Sequence, residues 1–134
     1  MNIAVRYQSR SGNTKMVAEA IAKAAGVTAE SVDVPLNEPV DLLFVGGGVY
    51  AFSMDGALRS FVDALDSNMV KSAAAFSTGG FVSIAGKIAS RIKSAGIPVS
   101  KDTLCIKLGG GTEKSLTDKH LQKVDEFVKA VQSN

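Results

Sequence analysis

The amino-acid sequence predicts an α/β fold, a three-layer α-β-α sandwich in which helices cover both faces of a five-stranded parallel sheet. Two observations carry this prediction. Short, almost continuously apolar runs, typical of strands buried on both faces, alternate with segments whose apolar residues recur at helical spacing. The links between the two kinds of segment are short, as expected where each helix packs back onto the sheet.

Five segments have strand character. Four are almost entirely apolar: 2–7 (NIAVRY), 41–48 (DLLFVGGG), 72–78 (SAAAFST) and 103–110 (TLCIKLGG). The segment 29–34 (AESVDV) alternates apolar and polar residues instead, which indicates a strand at the edge of the sheet.

Four further segments each carry one apolar face at helical spacing. The expected inward residues are Met16, Val17, Ala20, Ile21 and Ala24 in the first helix, Leu58, Phe61, Val62 and Leu65 in the second, Ile84, Ile88 and Ile92 in the third, and Leu121, Val124, Val128 and Val131 in the last. Gly26 is expected to end the first helix, and Gly96 with Pro98 the third.

The link between the second and third strands is too short for a helix. It spans 35–41 (PLNEPVD), where a parallel crossover usually takes a dozen residues or more. Seven extended residues reach roughly 23 Å, and the return path along a strand and across two strand spacings needs roughly 18 Å. We therefore predict an extended crossover, which the two prolines favour.

Size and composition indicate one domain, residues 1–134, in the cytoplasm. The net charge is +2, and the Lys and Arg residues are scattered, which argues against a nucleic-acid partner. A lone cysteine, Cys105, fits a reducing compartment and is expected to be a buried thiol. Neither a signal pattern nor an apolar run of membrane-spanning length is visible, so we expect no membrane insertion. The lone His120 is expected at the surface.

A cluster of small polar residues lies between the first strand and the first helix. The candidate ligands of an anion here are Ser9, Arg10, Ser11, Gly12, Asn13 and Thr14. A helix start offers unpaired N–H groups and partial positive charge, and a glycine lets a ligand approach the backbone. An ordinary N-cap would explain one serine, whereas several donors around one point are typical of phosphate binding. Arg10 either pairs with the phosphate or points into water.

The sequence does not match two other motifs that bind or accept phosphate. A P-loop needs Ser or Thr after its Gly-Lys pair, where this chain has Ile88. A phospho-acceptor receiver domain needs carboxylates at the ends of the first and third strands, which here read Gln8-Ser9 and Gly47-Gly48.

Three loops in combination resemble the flavodoxin family. The stretch SRSGNT (9–14) is similar to the family's phosphate loop, T/S-x-T/S-G-x-T. The stretches 41–65 and 73–99 are similar to its third and fourth strands, each with the flavin loop and helix that follow. The resemblance covers nearly the whole chain and implies a sheet of order 2-1-3-4-5, bound flavin mononucleotide (FMN) and membership of the short-chain forms.

The resemblance also implies that the flavin ring lies between the loops after the third and fourth strands. The candidate contacts in these loops are Gly48, Val49, Tyr50, Ala51, Phe52, Ser77, Thr78, Gly79, Gly80 and Phe81. We expect Tyr50 to stack on the ring and Phe52 to pack beneath its own loop, while Phe81 either stacks or packs. Apolar walls penalise negative charge on the ring and so lower its potential.

We expect an electron carrier of low potential rather than an enzyme. The predicted crevice contains no histidine, paired carboxylates or cysteine that could act as a catalytic group, and no metal ligands. The expected partners are a reductase that donates electrons and an enzyme that accepts them, and the expected state is a monomer. Two alternatives stay open. One is a flavin-dependent reductase or oxidase of the quinone, NAD(P)H or protoporphyrinogen type, and the other is a scaffold without flavin.

Overall fold

A computed structural model of the chain describes residues 1–50, 54–79, 83–108 and 115–133. In chain order its elements are β1 (Ile3–Gln8), α1 (Asn13–Ala25), β2 (Ala29–Ser31), β3 (Leu42–Gly48), α2 (Gly56–Asp63), β4 (Ala73–Gly79), α3 (Ala85–Ser94), β5 (Leu104–Lys107) and α4 (Asp118–Gln132). Within the described residues, five strands pair in parallel in the order β2-β1-β3-β4-β5. The fold class and the strand order are confirmed.

Two apolar clusters lie on opposite faces of the sheet because side chains alternate along each strand. In β3, Phe44 belongs to the cluster under α1 and α4, and its neighbour Val45 belongs to the cluster under α2 and α3. Phe44 meets Phe127 of α4 edge-to-face, with ring centroids 5.7 Å apart. Helices therefore cover both faces, and the carboxyl ends of the strands remain as one edge where loops can meet.

The helical periods identify the right helices, but two inward faces differ from the prediction. In α1 the buried residues include Ala18 and Ala22, whereas Ala24 is exposed, because α1 packs against α4 as well as against the sheet. In α4, Leu121 is 42% exposed and Phe127 is buried instead. Leu121 lies in the first turn, before the helix reaches the core.

The crossover from β2 to β3 contains no helix, as predicted. The guanidinium of Arg6 on β1 holds its beginning: Nε donates to the carbonyl of Val34 at 2.9 Å and Nη2 to that of Pro35 at 3.3 Å. Arg6 is only 8% exposed, so these carbonyls satisfy donors that burial would otherwise leave unpaired. The edge strand β2 is confirmed at the edge, but it is three residues long and shorter than predicted.

Three smaller expectations have separate outcomes. Cys105 is half-buried rather than buried, because β5 is an edge strand. His120 is half-buried and takes part in the start of α4. Among the helices of the described ranges, none combines the length and apolar character needed to cross a bilayer.

Candidate functional site

The loops predicted to bind a ligand meet at the carboxyl edge of the sheet. Gln8 at the end of β1 pairs with Gly47 of β3, and Gly48 pairs with Thr78 of β4. The three strands therefore end side by side at one edge of the sheet. Ligands of open α/β sheets bind at this position, where the order of strands reverses.

The loop after β1 leads into α1 through a left-handed glycine. Gly12 is the N-cap residue, with φ 97° and ψ −11°, and no side chain caps the helix from this position. The backbone N–H of Gly12 donates to Ser9 Oγ at 3.0 Å, which closes the loop on itself. The alternative in which a serine hydroxyl acts as an ordinary N-cap is therefore wrong, and Ser11 is exposed at the surface of the loop.

Thr14 and Thr78 join the first helix to the end of β4. Their hydroxyl oxygens are 2.7 Å apart, and the two residues are 2% and 5% exposed. Such a buried hydrogen bond fixes the first turn of α1 relative to the end of β4. Two residues from separate candidate loops are thus brought together, although they are far apart in sequence.

Tyr50 folds toward the loop after β1. Its hydroxyl accepts a hydrogen bond from the backbone N–H of Arg10 at 3.2 Å. A Cβ atom at Gly48 would lie 3.1 Å from that hydroxyl and 3.5 Å from Thr14 Oγ1. The missing side chain at Gly48 therefore leaves the space into which Tyr50 and Thr14 approach.

Arg10 lies over Tyr50 and pairs with Asp55, while its side chain is 57% exposed. Its guanidinium carbon lies 3.8 Å from the centroid of the Tyr50 ring, a cation–π contact. Arg10 Nε and Nη2 donate to Asp55 Oδ2 at 2.9 and 2.5 Å, and Asp55 Oδ1 accepts from the N–H of Ala57 at the start of α2. The hydrogen bond from Arg10, followed by that from Ala57, holds the pKa of Asp55 below its usual value.

Glycines in β3 let its neighbours pack closely against it. A Cβ atom at Gly46 would collide with the carbonyl oxygen and the ring of Phe76, and one at Gly47 would lie 2.6 Å from Leu58 Cδ2. The absence of side chains at these positions therefore lets α2 and β4 lie close to β3. Val49, which follows, is half-buried against the cluster under α2 and α3.

The loop after β4 is only partly described. Ser77 is fully buried, and its hydroxyl lies 3.0 Å from that of Ser83, which also accepts from the N–H of Ala85. Gly79 ends β4 and is half-buried. The predictions for Ala51, Phe52, Gly80 and Phe81 lie outside the described residues.

Sequence reasoning missed the residue that holds Arg10. Asp55 precedes the apolar period of α2, and an aspartate before such a period is a typical N-cap signal. The sequence therefore indicated the start of α2, but it did not reveal that Asp55 also pairs with Arg10. Within the described residues there is no group of three His, Cys, Asp or Glu side chains suited to a metal ion.

Two of three comparisons with known proteins found similar ones. A family model described as the flavodoxin domain matches residues 4–101. A flavodoxin from the domain Archaea is 26% identical, with a TM-score of 0.80 over 99% of this chain and 98% of that one. Flavodoxin 2 from Bacillus cereus is 19% identical, with a TM-score of 0.79 over 99% of both chains. A comparison with curated proteins gave no match.

The same fold also occurs inside a larger chain. The rubredoxin:oxygen oxidoreductase of the anaerobe Desulfovibrio gigas is 13% identical, with a TM-score of 0.76. The match covers 98% of this chain but 35% of that one. This likeness concerns the fold alone.

Proposed function

The chain belongs to the flavodoxin domain family, and we propose that it binds FMN and carries electrons at low potential between partner proteins. We further propose that residues 1–134 form one FMN-binding domain, which takes electrons from a reductase and passes them to an acceptor enzyme. The observation that carries the proposal is the start of α1, where a left-handed glycine replaces a capping side chain in a loop rich in hydroxyl groups.

The residues at this helix start fit a phosphate ester. Ser9, Ser11 and Thr14 supply hydroxyl groups, and Asn13 supplies an amide. Because Gly12 has no side chain, it lets a ligand oxygen approach the first N–H groups of α1, where the helix dipole favours an anion. We therefore propose that residues 9–14 hold the phosphate group, with the Arg10 N–H exchanging the Tyr50 hydroxyl for a phosphate oxygen.

The two neighbouring loops would hold the flavin ring. FMN, when bound, supplies the reversible uptake of electrons. The proposed task of residues 48–52 and 77–81 is to orient the ring and to exclude water from part of it. Gly48 and Thr78 are buried at the base of these loops, and Tyr50 is the aromatic side chain proposed to face the ring.

A comparison of FMN with riboflavin tests the phosphate assignment directly. Riboflavin has the same ring and lacks the phosphate group. We expect FMN to bind at least about a hundredfold more tightly, because several hydrogen bonds to a charged group contribute roughly 1.5–3 kcal/mol each. The measurement is quenching of flavin fluorescence on titration with flavin-free protein. Equal affinity for the two flavins would show that residues 9–14 do not bind phosphate.

A second candidate is a flavin-dependent oxidoreductase on the same fold. The observation in its favour is the fold match with the rubredoxin:oxygen oxidoreductase. Steady-state assays separate the candidates. An enzyme would oxidise NADH or NADPH, or reduce a quinone, with many turnovers and no other protein present. A carrier would be reduced catalytically only after a reductase is added.

A further inference from the structure

A groove lies between α2 and α3. It has a volume of about 340 Å³ and is lined by Met54, Arg59, Gly86, Lys87, Ser90 and Arg91. Met54 lies two residues before the first residue of α2, and Gly86 lies in the first turn of α3. Because both helices begin at the carboxyl edge of the sheet, the end of the groove at Met54 and Gly86 lies toward that edge.

Cations from both helices line this groove. Lys87 and Arg91 are four residues apart in α3 and so share one helix face, and Arg59 faces them from α2. The carboxylates of α2 within the described residues are Asp63, which pairs with Arg91, and the N-cap Asp55, which pairs with Arg10. Cations therefore outnumber carboxylates along this side of the crevice.

One guanidinium group of the groove, that of Arg91, already binds a carboxylate. Arg91 Nε donates to Asp63 Oδ1 at 3.0 Å and Nη2 donates to Oδ2 at 2.6 Å, a two-point contact. The two side chains are 40% and 47% exposed, so the pair lies at the surface. Arg91 lowers the pKa of Asp63, and Arg59 contributes to the same shift.

We propose that this groove docks a carboxylate-rich surface of the redox partner. The proposal rests on the electron-transfer function proposed above, since it places the partner next to the ring loops. A positive patch favours an acidic partner by steering its approach and by rejecting surfaces of like charge. The cations are spread over two helices, with Arg59 and Lys87 exposed and Arg91 half-buried, which suits several Asp and Glu side chains rather than one small anion.

Titration with hexaglutamate, followed by NMR of the ¹⁵N-labelled protein, tests the proposal without knowing the natural partner. We expect the peptide to shift amide signals of Arg59, Lys87 and Arg91, with an affinity that falls as salt rises. Hexalysine should leave these signals in place. Lys87→Glu should weaken hexaglutamate binding at least about threefold at low salt, because it removes one ion pair and adds a repulsion.

The matched control is Lys123→Glu, which makes the same charge change on an exposed position of α4, on the opposite face of the sheet. Lys87 is the third residue of α3, where a glutamate is favourable to the helix dipole, so Lys87→Glu should keep its fold. Urea unfolding checks this. Equal weakening by both variants would mean that net charge alone attracts the peptide, and this would overturn the proposal.

Two further outcomes keep the inference separate from the proposed function. If adenosine 2′,5′-bisphosphate shifts the groove residues and hexaglutamate does not, the groove is a nucleotide-phosphate site and the docking proposal fails. The titrations are run with and without FMN. Failure of FMN to bind would remove the proposed function, whereas tight FMN binding without any hexaglutamate shift in α2 and α3 would remove this inference alone.

Discussion

The first turns of α1 and α4 both have backbone N–H groups without partners in the helix, and the two helices differ in how these groups are capped. In α4, Thr117 Oγ1 accepts from the N–H of His120 and His120 Nδ1 accepts from the N–H of Thr117, both at 3.2 Å, a reciprocal capping box. In α1, the N-cap is Gly12 and no side chain caps the helix from that position. At the start of α4, the helix's own side chains cap its free backbone N–H groups. The start of α1 instead has the composition of a ligand site.

The largest expected effect that separates the two helix starts is on ligand affinity. Ser11→Ala should weaken FMN binding tenfold to hundredfold, because one hydrogen bond to a charged oxygen contributes roughly 1.5–3 kcal/mol. Since Ser11 is exposed, the stability of the flavin-free protein should stay within about 0.5 kcal/mol of the parent. Fluorescence titration and urea unfolding measure the two quantities. Unchanged affinity would mean that the loop has been misinterpreted.

The next effect concerns the backbone of the α1 start. Gly12→Ala should destabilise the protein by about 1–2 kcal/mol, because a residue with a Cβ atom resists the observed φ of 97°. Gly56→Ala in the first turn of α2 is the matched control. Its added Cβ would meet nothing within 4 Å, and alanine should stabilise the helix by roughly 0.5–1 kcal/mol. Changes of the same sign in urea unfolding would contradict this comparison.

At the start of α4 we expect a mutation to lower stability and to leave ligand affinity unchanged. Thr117→Ala should reduce the free energy of unfolding by about 1 kcal/mol, since it removes the acceptor of the capping box. FMN affinity should be unchanged, because this helix start is assigned no ligand. A loss of affinity as large as that of Ser11→Ala would mean that the two helix starts do not differ in function.

The smallest effect is a pH dependence at the contact between the loop and α2. The folded protein holds the pKa of Asp55 below its usual value, chiefly through Arg10. The pair therefore contributes stability above the unfolded-state pKa of about 3.9, and this contribution disappears as pH falls through the lower folded-state pKa. Arg10→Gln should be less stable than the parent at pH 7, and the difference in urea midpoint should shrink toward pH 3. A difference that is independent of pH would argue against the ion pair.

Much of the architecture was predictable because local patterns specify it. Apolar runs located the strands, and Gly26, which caps α1 with φ 78°, ended the helix where the sequence predicted. The helix-free crossover was predicted from the length of its link alone. The inward faces of α1 and α4 were predicted less well, because the period of a helix does not reveal how far the sheet and the neighbouring helix extend beneath it.

Some features of the candidate site are likewise local in the sequence, and others depend on the whole fold. A polar loop between a buried strand and a helix follows from the residue types and their order, which are local properties. The folded chain is needed to bring Thr14 to Thr78, to pair Arg10 with Asp55 over the ring of Tyr50, and to place Arg59, Lys87 and Arg91 in one groove. These contacts join residues from separate strand–helix units. They depend on the order and register of the strands, and these follow from packing over the whole sheet rather than from any single stretch of sequence.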